Sequence, residues 1–127
     1  MFEQLLQFND VGLLLLRVAV AIIFLYHGLP KLSKAKSMSA MMGMPAGMIF
    51  MLGIIETLAS FGIAFGVYTQ LSALLLAIVM VGAMGMKKMK WGVPFSAMDK
   101  TGWEFDFILL FANIAILLSG GGGIGIW

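Results

Sequence analysis

Residues Leu13–Leu32 read LLLLRVAVAIIFLYHGLPKL. About 20 apolar residues are enough to cross a bilayer, yet this run holds Arg17 and closes on His27, Gly28 and Lys31. An arginine at the centre of a membrane helix costs about 2.5 to 3.5 kcal/mol on insertion scales, so it has to be turned towards protein or water. Something else in the chain must therefore answer Arg17. Three more apolar stretches follow, and one carries a lone carboxylate, Glu56, at comparable depth.

The rest of the composition agrees. Of 127 residues, 61% are hydrophobic and 11% charged, and mean hydropathy is +1.04. Soluble domains carry roughly 45–50% apolar and about 25% charged residues. The expected fold is an all-α membrane protein, a single domain over 1–127 with no room for a soluble catalytic domain. The absence of cysteine excludes disulfides, thiolate metal sites and dithiol chemistry, and the single histidine excludes a bis-histidine haem within one chain. The net charge of +2 comes from lysines grouped beside apolar runs. They read as topology signals and not as a nucleic-acid surface.

Four spans are expected, over about 11–28, 46–68, 71–86 and 103–119. Gly28, Leu29 and Pro30 are read as ending the first. A methionine-rich connector leads to Pro45, well placed to start the second, and Thr69 and Gln70 make the turn to the third. Gly120 to Gly123 stop the fourth, because glycine gains too much entropy outside a helix. Trp127 is read as an interfacial anchor. The N-terminal segment lacks a positive n-region and a cleavage site, so the first helix is expected to be retained.

All seven lysines fall between the first and second or the third and fourth stretches. The positive-inside rule then puts both long loops in the cytoplasm and both termini on the other side. The expected architecture is a four-transmembrane-helix bundle, and its two hairpins, each with a lysine- and methionine-bearing loop, suggest a parallel repeat.

Arg17 and Glu56 both fall near the midplane, where an antiparallel hairpin can bring them together. They form a buried pair that fixes helix register, or part of a polar site for a quinone headgroup, a proton or a small substrate, or they sit by chance at a water-filled groove. Ala21 and Gly28 share the stripe of Arg17, Gly53 and Ser60 flank Glu56, and Gly62 and Gly66 form a GxxxG step. Asn113 and Asp106, seven residues apart, extend a polar stripe inward. His27, Lys31, Trp103, Glu104 and Asp106 belong to the cytoplasmic rim. Histidine titrates near neutrality, so His27 is either an interfacial residue or a proton donor to a quinone carbonyl. Thioethers bind Cu(I), but they are also soft packing groups. With no cysteine and no histidine nearby in sequence, the methionines are read as packing, and no metal site is expected.

Arg17 in LLRVAVA, His27, Gly28 and Lys31 in HGLPKL, Glu56 with Gly62, Gly66 and Thr69, and Gly102, Trp103 and Glu104 in GWEFDFILL followed by GGGG together resemble the DoxX family of small membrane proteins. The resemblance covers nearly the whole chain. It implies a four-helix bundle in a prokaryotic cytoplasmic membrane and an association with membrane redox systems. The family is named for a subunit linked to quinone-dependent oxidation of sulfur compounds, and other members are linked to oxidoreductase complexes handling thiol or oxidative stress. Ile124, Gly125, Ile126 and Trp127 stand where the family usually has Ser-Leu-Asp after the glycine turn, so a role resting on that aspartate does not carry over.

The leading reading is a quinone-associated accessory subunit in which Arg17, His27, Glu56 and Glu104 line a site and a partner's cofactor supplies the electrons. No intrinsic cofactor is expected. The second reading is a structural or assembly subunit that packs on a larger membrane complex or on its own copies. The third is a proton or small-solute conduit through Asp106, Asn113, Glu56 and Arg17.

Overall fold

The computed structural model describes residues 1–126, and Trp127 lies outside the described residues. A short 3-10 segment, Glu3–Phe8, leads into helix α1, Asn9–Ser33. Helices α2, Ala35–Met42, α3, Ala46–Phe65, α4, Thr69–Gly85, and α5, Trp103–Ser119, follow, with a π turn, Met86–Lys90, closing α4. The described residues form no strand. Three helical stretches are long and apolar enough to cross a membrane: Glu3–Ser33, Ala46–Phe65 and Thr69–Lys90. Helix α5 has 17 residues, about 25 Å at roughly 1.5 Å per residue, and is shorter than the three.

Several boundaries differ from the reading of the sequence. Helix α1 does not stop at Gly28 but continues through Pro30 to Ser33. Proline in a helix frees the carbonyl four residues back, here that of Tyr26, which is exposed. Lys34 N–H in turn donates to Pro30 O at 2.7 Å. The methionine-rich connector contains α2, which ends where Gly43 takes the left-handed conformation at φ +69°. Helix α3 stops at Phe65 because Gly66 turns left-handed at φ +72°. Gly62 and Gly66 therefore share no helical packing stripe. Gly62 lets Ser72 of α4 approach closely, whereas Gly66 lies against Gly125 near the chain's end. Tyr68, also left-handed at φ +48°, precedes α4, which begins at Thr69.

Helix α1 packs along α3, α3 along α4, and α4 along α5. Lipid tails are as apolar as leucine, so membrane helices associate through close van der Waals packing and small residues. The buried positions Ala21, Gly28, Gly53, Ala59, Ser60, Ala73 and Ala77 supply these small residues. Among them sit Val20, Phe24, Ile63, Leu76, Met80, Leu109 and Ile116, which form the apolar core. On α1, α3, α4 and α5 this core lies between two polar ends. One end bears the lysine loops, held together where Lys90 Nζ donates to Gly43 O (2.8 Å) and Trp91 Nε1–H to Met42 O (3.1 Å). The other bears the α3–α4 turn and the glycine run.

Candidate functional site

At the lysine-bearing end, α1 crosses α3 at two glycines. A Cβ on Gly28 would lie 3.0 Å from Glu56 Cβ, and one on Gly53 would lie 2.9 Å from Lys31 Cβ. This close approach places Lys31 Nζ 2.5 Å from Glu56 Oε2, with the lysine side chain 14% and the carboxylate 1% exposed. Ser60 Oγ–H donates back to Glu56 O, and the neighbouring Thr57 Oγ1 is buried without a partner.

A second pair joins the end of α4 to the start of α5. Lys87 Nζ lies 2.8 Å from Asp106 Oδ2, again with the lysine 14% exposed. The approach is that of touching charges and not of an aligned hydrogen bond, so Oδ2 is left without one. Two turns further along α5, Asn113 Nδ2–H donates to Leu109 O at 2.8 Å while its Oδ1 is buried and unpartnered.

Aromatic groups close the rim. The Nδ1 of His27 lies 2.8 Å from Ile23 O. A carbonyl only accepts, so the proton is on Nδ1 and Nε2 of the neutral ring is the acceptor nitrogen. The ring meets Tyr26 edge-on, with centroids 5.4 Å apart and planes at 74°, and Phe105 at a tilt, at 5.3 Å and 45°, and Lys87 Nζ sits 5.6 Å above that same Phe105. Phe105 in turn lines a cleft of about 560 Å³ with Phe95, Thr101, Glu104, Phe107 and Ile108. Glu104 does not meet His27, and it accepts a hydrogen bond from Ser96 Oγ at 3.0 Å.

Arg17 is elsewhere. It faces the opposite end, buried to 1% exposure. Its Nε–H donates to Ile63 O and its Nη1 to Gly121 O, both at 2.9 Å, and Nη1 also donates to Ile124 O at 2.5 Å. The structure therefore brings His27, Lys31, Glu56, Glu104 and Asp106 to one end, leaves Asn113 in the core, and separates Arg17 from all of them. Two members of the site were hidden in the sequence: Lys87, assigned only to topology, and Phe105. Lys31 carries a signal in hindsight, since it lies three residues beyond Gly28 and continues the inward stripe of α1.

The sequence profile of the DoxX family matches residues 12–89. The chain belongs to the DoxX family. A protein of Bacillus subtilis (strain 168) that bears the name "Putative oxidoreductase CatD" is 32% identical over 114 residues, covering 87% of this chain and 81% of that protein. No solved structure matches. Arg17, His27, Lys31, Glu56 and Lys87 fall inside the matched residues, while Glu104, Asp106 and Asn113 lie beyond them. Family and apolar helices together make this DoxX chain an integral membrane protein.

Proposed function

We propose that this DoxX protein is an accessory subunit of a membrane redox system, with no redox centre of its own, and that it meets a quinone at the lysine-bearing end. In this reading α5 is a fourth span, both long loops are cytoplasmic, both termini are outside, and the membrane is a prokaryotic cytoplasmic membrane. The observation that carries the proposal is the setting of His27. Its Nδ1–H is committed to Ile23 O, and its ring is flanked by Tyr26 and Phe105. Nε2 of such a ring takes the proton of a hydroquinone hydroxyl, and once protonated it donates to a quinone carbonyl. The flat ring of the ligand packs against Phe105, and room comes from the cleft that Phe105 lines, which His27 adjoins through that ring and does not itself line. The quinone supplies the electron-carrying chemistry. The chain contributes binding, orientation and a proton-accepting nitrogen. The oxidoreductase name of the Bacillus subtilis relative supports the same class.

The test is purification in lipid nanodiscs, with mass spectrometry of retained lipids and proteins. Copurifying quinone, reduced about tenfold in His27→Phe while the protein stays folded, is the expected result. That factor is what one lost hydrogen bond of about 1.4 kcal/mol gives. Quinone retained equally by His27→Phe would refute the site. The second reading, a structural or assembly subunit, draws on Lys31 and Glu56 being satisfied by each other. It is favoured if a defined complex copurifies without quinone and Glu56→Gln lowers its abundance.

A further inference from the structure

At the end opposite the lysine loops, a cleft of about 590 Å³ is lined by Arg17, Tyr68, Thr69, Gln70, Ser119 and Gly122, among others. That volume falls within the roughly 300–1,000 Å³ of ligand pockets. From its charge and donors we infer that this cleft binds an oxyanion of the phosphate class, either a free anion or the headgroup of a phospholipid. Three features point the same way.

First, among the described residues no carboxylate lies against the Arg17 charge. The ion pairs among the described residues are Met1 amine to Glu3, Lys31 to Glu56 and Lys87 to Asp106. Asp10, the acidic residue closest to Arg17 along α1, instead accepts from Gly123 N–H at 2.9 Å. Arg17 is answered by carbonyls, which orient dipoles towards it but carry no net charge. Second, its donors are not all used. Guanidinium has five N–H groups. Nε and Nη1 account for three, while Nη2 has only Ala64 O at 3.4 Å, so at least one Nη2 N–H has no partner among the described residues. Glycine at two neighbouring positions lets the chain close tightly around the guanidinium: a Cβ on Gly66 would lie 2.6 Å from Gly125 Cα and 3.2 Å from Nη2, and one on Gly121 would lie 2.5 Å from Thr69 Cγ2 and 3.1 Å from Arg17 Cδ.

Third, α4 starts at this cleft. Thr69, Gln70 and Leu71 line it, and their N–H groups precede the first bond of the helix, Ser72 N–H to Tyr68 O at 2.9 Å. Tyr68 offers no side-chain cap. A helix N-terminus carries about half a positive charge on such free N–H groups. With a buried guanidinium facing the same space, the cleft offers the remaining Nη2 N–H and the N–H groups of the helix start to a multidentate anion, while Asp10 beside Gly122 is engaged by Gly123 N–H. Its apolar wall, from Leu71 and Ile124, suits an amphipathic ligand at a membrane rim.

The experiment uses the whole chain in nanodiscs, without quinone or partner, so it stands apart from the redox reading. In phosphatidylcholine nanodiscs inorganic phosphate is titrated calorimetrically. In mixed phosphatidylglycerol–phosphatidylcholine nanodiscs, native mass spectrometry reads which lipid stays bound. Saturable phosphate binding identifies a free anion, whereas preferential retention of phosphatidylglycerol identifies a headgroup. Arg17→Gln should weaken either by at least about tenfold, the worth of one charged hydrogen bond. Gln70→Glu, isosteric and on an exposed residue that lines the cleft, sets a negative charge against the anion and decides the matter if Arg17→Gln fails to fold, with an expected loss of about tenfold. No phosphate binding together with no lipid preference, or binding untouched by Gln70→Glu, overturns the inference.

Discussion

Lys31 Nζ lies 2.5 Å from Glu56 Oε2, so the lone carboxylate of α3 is answered from the last turn of α1 and not by Arg17. Residues Arg17 and Lys31 are 14 apart on α1, about 21 Å at roughly 1.5 Å per residue. The two basic groups thus serve opposite ends of the bundle. One pairs with a charge, and the other is solvated by backbone carbonyls.

The Lys31–Glu56 pair should be asymmetric to mutation. Lys31→Met leaves a carboxylate that is 1% exposed without its cation, and breaking a buried pair this way costs about 3–5 kcal/mol. Glu56→Gln leaves a lysine that is 14% exposed and long enough to bring its ammonium to water, so it costs less, about 1–3 kcal/mol. The double variant should be closer to Glu56→Gln than to the sum. Unfolding midpoints of the three variants in one detergent check this, and additive losses would show that the two groups are not coupled.

Asp106→Asn should be milder than Glu56→Gln. Lys87 has other partners, Thr101 Oγ1 at 3.3 Å, Gly102 O at 3.5 Å and the face of Phe105, and Asp106 Oδ2 has no aligned hydrogen bond to lose. The expected cost is about 1 kcal/mol or less, read in the same unfolding assay. A loss as large as that of Lys31→Met would mean that Asp106 is held more strongly than its geometry indicates.

The α1–α3 crossing is set by glycine and should not accept a larger residue. On Gly53 a Cβ already meets Lys31 Cβ at 2.9 Å, Gly28 O at 3.1 Å and Leu32 Cδ2 at 3.1 Å. Gly53→Val therefore pushes the helices apart, at a cost of about 1–3 kcal/mol, and loosens the Lys31–Glu56 pair with it. Gly82→Ala on α4 meets nothing within 4 Å, so it should be neutral or stabilising by up to about 1 kcal/mol. Equal effects at the two positions would argue that propensity and not packing sets the difference.

Much of the inward face was legible in the sequence, because side-chain direction on a helix follows its period. Arg17, Ala21 and Gly28 are buried on α1, and Gly53, Glu56 and Ser60 on α3. The partner of Arg17 was not legible, for a physical reason: it is made of main-chain carbonyls, which every residue carries. No residue type marks Ile63, Gly121 or Ile124 as acceptors. Helix α2 was hidden because its eight residues are too few to show an apolar period. Pro30 misled because its helix-breaking effect is weak where the freed carbonyl sits on an exposed rim. The cleft at the α3–α4 turn depends on Gly66 and Tyr68 adopting left-handed backbone, which sequence alone signals for the glycine only.

Orientation is open to a direct measurement because the chain contains no cysteine, so any single cysteine introduced is its sole thiol. Lys34 and Asp99 mark the two lysine-bearing loops, and Gln4 and Gln70 mark the N-terminal segment and the start of α4. Each lies outside the buried core. If the lysine loops are cytoplasmic, an impermeant maleimide added to intact cells or spheroplasts should label Gln4→Cys and Gln70→Cys. Lys34→Cys and Asp99→Cys should react only after permeabilisation. The same experiment decides whether α5 spans. A thiol at Gly122, just past its C-terminal end, labels with Gln70→Cys if α5 crosses the membrane and with Asp99→Cys if it turns back. Because Gly122 sits at φ +87°, Leu118→Cys on the exposed side of the last helical turn serves where the glycine variant is poorly made. Labelling of Lys34→Cys in intact cells would invert the orientation and place the His27 rim on the outer face.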